Sequence, residues 1–225
     1  MSDPESIETC GLRCFGAISA SLSHELKNAL AIINEHAGLL EDMMLMAGTG
    51  RPLDPDRLKL LAGNVMKQVQ RADTMIKHMN QFAHSVDVTV ACSDLEDALT
   101  LAIALNSRTA VMKGGVLVLE PSATPVRITT CPFWVQTLIW RSLNELLERT
   151  GADRQLHLSA RKTSDGAAII FSPVDHVLTN IHIPDVLNHL KATQALDIQT
   201  RELWIVLPAD INANRADGLF RSCLH

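Results

Sequence analysis

The sequence predicts an α+β protein in two parts: an antiparallel pair of long helices, then a small α/β sandwich. Three observations carry this. Apolar residues recur at three- and four-residue steps over two long stretches, ending near Gly48 and Val86. Beyond Ser93, short helical patterns are interleaved with β-branched runs. Glycine, proline or aspartate stands at most changes of period.

The first helical stripe is Phe15, Ile18, Leu22, Leu26, Ala29, Ile33, Ala37, Leu40, Met44 and Ala47. Gly48 and Gly50 relax the backbone and end it. Asp54 then supplies a side-chain oxygen for an N-cap, and Pro55 suits the first helical position. The second stripe runs through Leu58, Leu61, Val65, Val69, Ala72, Ile76, Met79, Ala83 and Val86, close to a heptad seam. A short loop between two long helices makes a hairpin. Each stripe is longer than one hairpin can cover, so a homodimer closing into a four-helix bundle is expected. Off the second stripe, Lys67, Gln70, Arg71 and Lys77 read as a solvated face, part of which can meet a partner near His24.

The second part starts after a short linker or strand over Val86 to Ala91. Asp94 caps a helix through Leu95, Leu101, Leu105 and Ala110, which Lys113-Gly114-Gly115 ends. Strands are expected over Val116 to Glu120 and Pro125 to Thr129, then a helix from Pro132 to near Gly151. Gln155 to Lys162 and Ala167 to Ser172 form a hairpin across Thr163-Ser164-Asp165-Gly166. A weak helix from Pro184 to Ala192 and a last strand from Leu203 to Pro208 complete a helix layer on a mostly antiparallel sheet. The expected division is 10–87 for the hairpin, 93–208 for the sandwich, and 209–225 for a frayed polar tail.

Composition narrows the function. The 225 residues are 47% hydrophobic and 20% charged, as in an ordinary globular protein. Aromatics are 4% and tyrosine is absent, so aliphatic side chains must build the core. The net charge of −5, with no basic block, argues against nucleic acid as a partner. No apolar run approaches the roughly 20 residues that span a bilayer. The acidic start, MSDPESIETC, lacks the pattern of a signal peptide, and a cytoplasmic protein is expected. Five scattered cysteines make no disulfide framework. Cys10 and Cys14, one helical turn apart, have no further ligands at zinc spacing, and no metal site is expected.

The chemistry points to His24. It stands off the first stripe, so its imidazole should face water. Glu25 follows it, and Asn28 lies one turn further on the same face. A histidine presented this way can act as a nucleophile, with the carboxylate fixing its tautomer and taking its proton.

The run Ser23-His24-Glu25-Leu26-Lys27-Asn28, then Leu30, resembles the H-box of two-component sensor histidine kinases. That family carries Ser-His-Glu-(Leu/Ile/Phe)-(Lys/Arg)-(Asn/Thr)-Pro-Leu on the first helix of its dimerisation and phosphoacceptor domain. Ala29 stands where the family has proline, so a straighter helix is expected here. The order of elements after Ser93 resembles the family's catalytic ATP-binding domain, which shares its fold with gyrase-type ATPases. The resemblance puts Asn144 at the magnesium-binding asparagine of the N-box, and Leu207-Pro208 at the close of the last strand.

The nucleotide cradle departs from that pattern. The family has Asp-x-Gly-x-Gly after the hairpin; here the stretch is Phe171-Ser172-Pro173-Val174-Asp175-His176-Val177. No glycine occurs from Val174 to Pro208, and Pro173 removes a backbone donor. Asp175 is a displaced candidate for the adenine contact, and Asn144 belongs to a vestigial pocket. His157, His176, His182 and His189 read as surface or satisfied histidines. The expected function is therefore a phosphorelay. His24 exchanges a phosphoryl group with receiver-domain aspartates of response regulators, without a tightly bound cofactor and without ATP. Mg²⁺ comes with the receiver. Glu25 is the orienting base, and Asn28 positions water or partner, which in the family also supports dephosphorylation of the receiver. Two alternatives stand beside this: an ATP-dependent histidine kinase with an unusual nucleotide site, and a non-enzymatic dimeric adaptor.

Overall fold

The computed structural model describes residues 6–149, 154–174 and 183–213. Asp175, His176 and His182 lie outside the described residues, as does the tail from 214 onward. The chain begins with α1 (Ile7–Gly48) and α2 (Pro55–His84), which pack side by side as the expected antiparallel hairpin. Ser6 caps α1 by accepting from Thr9 N at 3.3 Å. Asp54 caps α2, its Oδ1 accepting from Asp56 N at 3.0 Å and Arg57 N at 3.3 Å. With alanine in place of proline at position 29, α1 runs as one helix of 42 residues.

The second part holds β1 (Ala91–Asp94), α3 (Leu95–Met112), β2 (Gly115–Glu120), β3 (Arg127–Thr130), α4 (Pro132–Arg149), β4 (Arg154–Lys162), β5 (Gly166–Ser172), α5 (Pro184–His189), β6 (Thr193–Asp197) and β7 (Glu202–Pro208). The main sheet has the order β2-β4-β5-β7-β6, antiparallel except where β2 runs parallel to β4. Its helix-facing residues, among them Leu158, Ile169, Phe171 and Ile205, are buried with Leu95, Leu99, Leu138, Ile139 and Leu146 of α3 and α4. Helix layer on sheet is thus the α/β sandwich expected.

Three details differ from the sequence expectation. The strand expected over Pro125 to Thr129 does not join the main sheet; as β3 it pairs with β1, Ala91 opposite Thr130, in a separate two-stranded ribbon. A strand was not foreseen at Thr193–Asp197, where β6 forms an edge beside β7. The start of the expected frayed tail is anchored instead. Thr129 N donates to Ala209 O at 2.8 Å, Ile211 N donates to Thr129 O at 2.9 Å, and Ile211 is buried. An apolar side chain three residues past the last strand was enough to dock it.

The two parts share a core. Cys14, Ile18 and Leu22 of α1 and Met75 and Phe82 of α2 are buried together with Leu101 and Leu105 of α3. Phe82 stacks on Phe15 at 5.5 Å between ring centroids, and Phe133 of α4 tilts onto it at 5.9 Å. At Gly11 α1 lies tight against α4: a Cβ there would lie 3.0 Å from Trp134 and 3.2 Å from Phe133.

Candidate functional site

His24 lies two residues beyond Leu22, the last fully buried side chain of α1's domain-facing run. At 100° per residue the helix turns it away from that packed face, and it is exposed. Asn28, one turn further, is exposed as well. The rule that places them is the stripe itself. Ile18, Leu22 and Ala29 are 2%, 2% and 1% exposed, and Ser23, His24, Lys27 and Asn28 between them fall on the water side.

Glu25 takes a different direction. It turns toward α2, where its Oε2 accepts from Arg71 Nη2 at 3.2 Å; the Glu25 side chain is 13% exposed and that of Arg71 54%. Arg71 had read as part of a solvated face. The two residues are 46 positions apart, and only the antiparallel pairing of the helices brings them together. No signal in the sequence finds the pair: counting equal numbers of residues back from the hairpin loop sets Glu25 opposite His78, two turns beyond Arg71.

Asn144 sits on α4, away from this surface. Its Nδ2 donates to Trp140 O at 3.1 Å. The Lys113 ammonium donates to its Oδ1 at 3.2 Å and to Glu148 Oε1 at 3.1 Å. The amide oxygen is therefore held by a lysine of the same chain. After β5 the backbone is closed rather than open: Val174 N donates to Arg201 O at 2.8 Å, Arg201 Nε donates to Val174 O at 3.2 Å, and Val174 is buried. Neither arrangement offers a metal or a phosphate a set of unengaged groups.

Two of the other histidines have partners elsewhere. His157 Nδ1 lies 2.9 Å from Glu120 Oε1, and His189 packs on Trp134 at 4.9 Å between ring centroids. Cys10 and Cys14 are buried. Burial pushes the Cys14 thiol up to about 12, against a smaller opposing pull from its hydrogen bond with Thr137. A thiol held protonated this way is a packing group and not a nucleophile at neutral pH. Among the described residues, no group of three or more His, Cys, Asp or Glu side chains could hold a metal ion, and no helix is long and apolar enough to cross a membrane.

No protein-family profile matches the sequence, and no curated protein matches it. Solved structures similar to this chain are histidine kinases. The Acinetobacter baumannii histidine kinase AdeS is 14% identical, covers 83% of this chain and 98% of its own, and has a TM-score of 0.44. The ATP-binding domain of PrrB from Mycobacterium tuberculosis is 16% identical over 54% of this chain and 98% of its own, with a TM-score of 0.43. The histidine kinase ThkA, solved in complex with the response regulator protein TrrA, is 12% identical over 90% of this chain and 64% of its own, with a TM-score of 0.45.

Proposed function

We propose that this chain is a two-component phosphorelay protein in which His24 exchanges a phosphoryl group with the aspartates of response-regulator receiver domains. The observation that carries the reading is the exposed imidazole on α1 inside Ser23-His24-Glu25-Leu26-Lys27-Asn28, with the neighbouring carboxylate drawn back onto α2. An imidazole nitrogen attacks the phosphorus of the receiver's aspartyl phosphate. The P–N bond forms as the P–O bond to the aspartate breaks, the carboxylate leaves as the anion, and Glu25 accepts the imidazole proton. The reverse sequence returns the phosphoryl group to a second receiver. Mg²⁺ at the receiver neutralises the phosphoryl oxygens, so the positioning falls to this chain and the charge stabilisation to its partner. Asn28 positions water or the partner's loop from one turn away.

The working unit in this reading is a homodimer. Val69 and Ile76, both on the predicted seam, are 45% and 44% exposed in the single chain, and Met66, about 60° round the same helix from Val69, is 57% exposed. A second copy covering that face in a four-helix bundle removes them from water.

ATP has no part in the reading. Lys113 on Asn144 and the hydrogen-bonded closure between Val174 and Arg201 support that, together with the lack of glycine from Val174 to Pro208. The experiment has two arms. With a radiolabelled phosphorylated receiver, the label should move to this chain as an acid-labile, base-stable phosphohistidine; with labelled ATP and Mg²⁺ alone, the chain should remain unlabelled. Label from ATP would make it a kinase. Label from neither source would make it an adaptor.

A further inference from the structure

Arg71 is placed to govern the reaction without touching the phosphoryl group. It reaches from α2 to α1 at the level of His24, and its Nη2 donates to Glu25 Oε2 at 3.2 Å. An ion pair this exposed on the arginine side contributes little to stability. Its effect is geometric. Adjacent residues on a helix point about 100° apart, so a glutamate next to His24 has no built-in reason to hold one direction. With one oxygen fixed on Arg71 and its side chain 13% exposed, Glu25 loses most of its rotamer freedom. The guanidinium also offsets the carboxylate's charge, which would otherwise repel an incoming phosphoryl group carrying about two negative charges.

We infer that Arg71 is a positioning residue for phosphotransfer: by pairing with Glu25 across the hairpin it sets the direction and charge of the carboxylate beside His24. The inference rests on the relay reading of His24 and deepens it. It adds no new chemical step; the P–N bond still forms at His24 and the proton still goes to Glu25.

The test is single-turnover transfer from the receiver that labels the unaltered dimer, over a range of receiver concentrations. Arg71→Met should lower the saturating rate roughly tenfold and leave the half-saturating receiver concentration within about twofold. Arg71→Lys, which keeps the charge, should recover the rate to within about threefold of the original. In a Glu25→Gln background, Arg71→Met should add less than about a twofold change, because the group it acts through has gone. An unchanged saturating rate in Arg71→Met overturns the inference. So does a loss confined to receiver affinity, which would make Arg71 a docking contact, or a full loss persisting in the Glu25→Gln background. If Arg71→Met does not fold, a rate in Arg71→Lys as low as that of Glu25→Gln also overturns it. The relay reading fails separately, when the unaltered chain takes no label.

Discussion

The first helix passes through two environments, and the contrast between them separates architecture from function. Its early turns lie on the sandwich, and Cys10, Cys14, Ile18 and Leu22 are 5% exposed or less. Beyond Ala29 its packing partner is α2, and Leu30, Met44 and Leu45 stand 60%, 59% and 67% exposed. Apolar side chains occur through both halves. In the first half one chain supplies the cover, and in the second it does not. His24 lies at the boundary, just past the clamp and at the start of the uncovered stretch. An imidazole there is held on a rigid element yet open to a partner.

The largest effect should come from breaking the uncovered half. Ile76→Asp puts an unpaired carboxylate where the second copy is expected, and should cost the dimer several kcal/mol. Light scattering should give a dimer for the unaltered chain and a monomer for this variant. A monomeric unaltered chain would remove the bundle from the account.

A smaller effect is expected in the clamped half. Gly11→Leu must push Trp134 and Phe133 aside, because even a Cβ meets them at 3.0 and 3.2 Å. Overpacking of this kind costs about 1–3 kcal/mol. Thermal unfolding should show the loss while light scattering still gives a dimer. Loss of the dimer with the clamp would mean that the two halves are not independent.

Cys14 sharpens the same contrast through pH. Its thiol ionises near 9 in the unfolded chain and is pushed up to about 12 in the fold. The raised value means that the folded state keeps a proton that the unfolded state releases. Its stabilising contribution is whole below pH 9 and is lost as pH rises toward about 12. Denaturant midpoints should fall over that window, and fall less steeply in Cys14→Ala. An equal slope in the two proteins would contradict the burial argument.

Much of this was legible in the sequence, for reasons that differ by element. The helical hairpin was, because long stripes and an Asp-Pro start leave few alternatives. The exposure of His24 was, because it stands off the stripe. Arg71 was not: charge on a helix surface is usually solvated, and its partner is 46 residues away in sequence. The β6 edge was missed because Thr193-Gln194-Ala195-Leu196-Asp197 has no apolar alternation, and its order comes from pairing with β7. The ribbon of β1 with β3 was likewise a matter of pairing, which periodicity does not encode.

The smallest effect concerns Asn28. Its amide can position water but cannot replace the nucleophile. Asn28→Ala should therefore spare transfer to His24 more than it spares dephosphorylation of the receiver. Parallel time courses of labelled chain and of released inorganic phosphate distinguish the two. An equal loss in both would make Asn28 a docking residue.

The most direct test of the central claim is transfer of label from a phosphorylated receiver of the same cell to the unaltered chain and to His24→Ala. The unaltered dimer should gain an acid-labile, base-stable label. His24→Ala should gain none and remain a dimer, because the exposed imidazole carries no core packing. Label that survives in His24→Ala, or an unaltered chain that no receiver labels, would contradict the account.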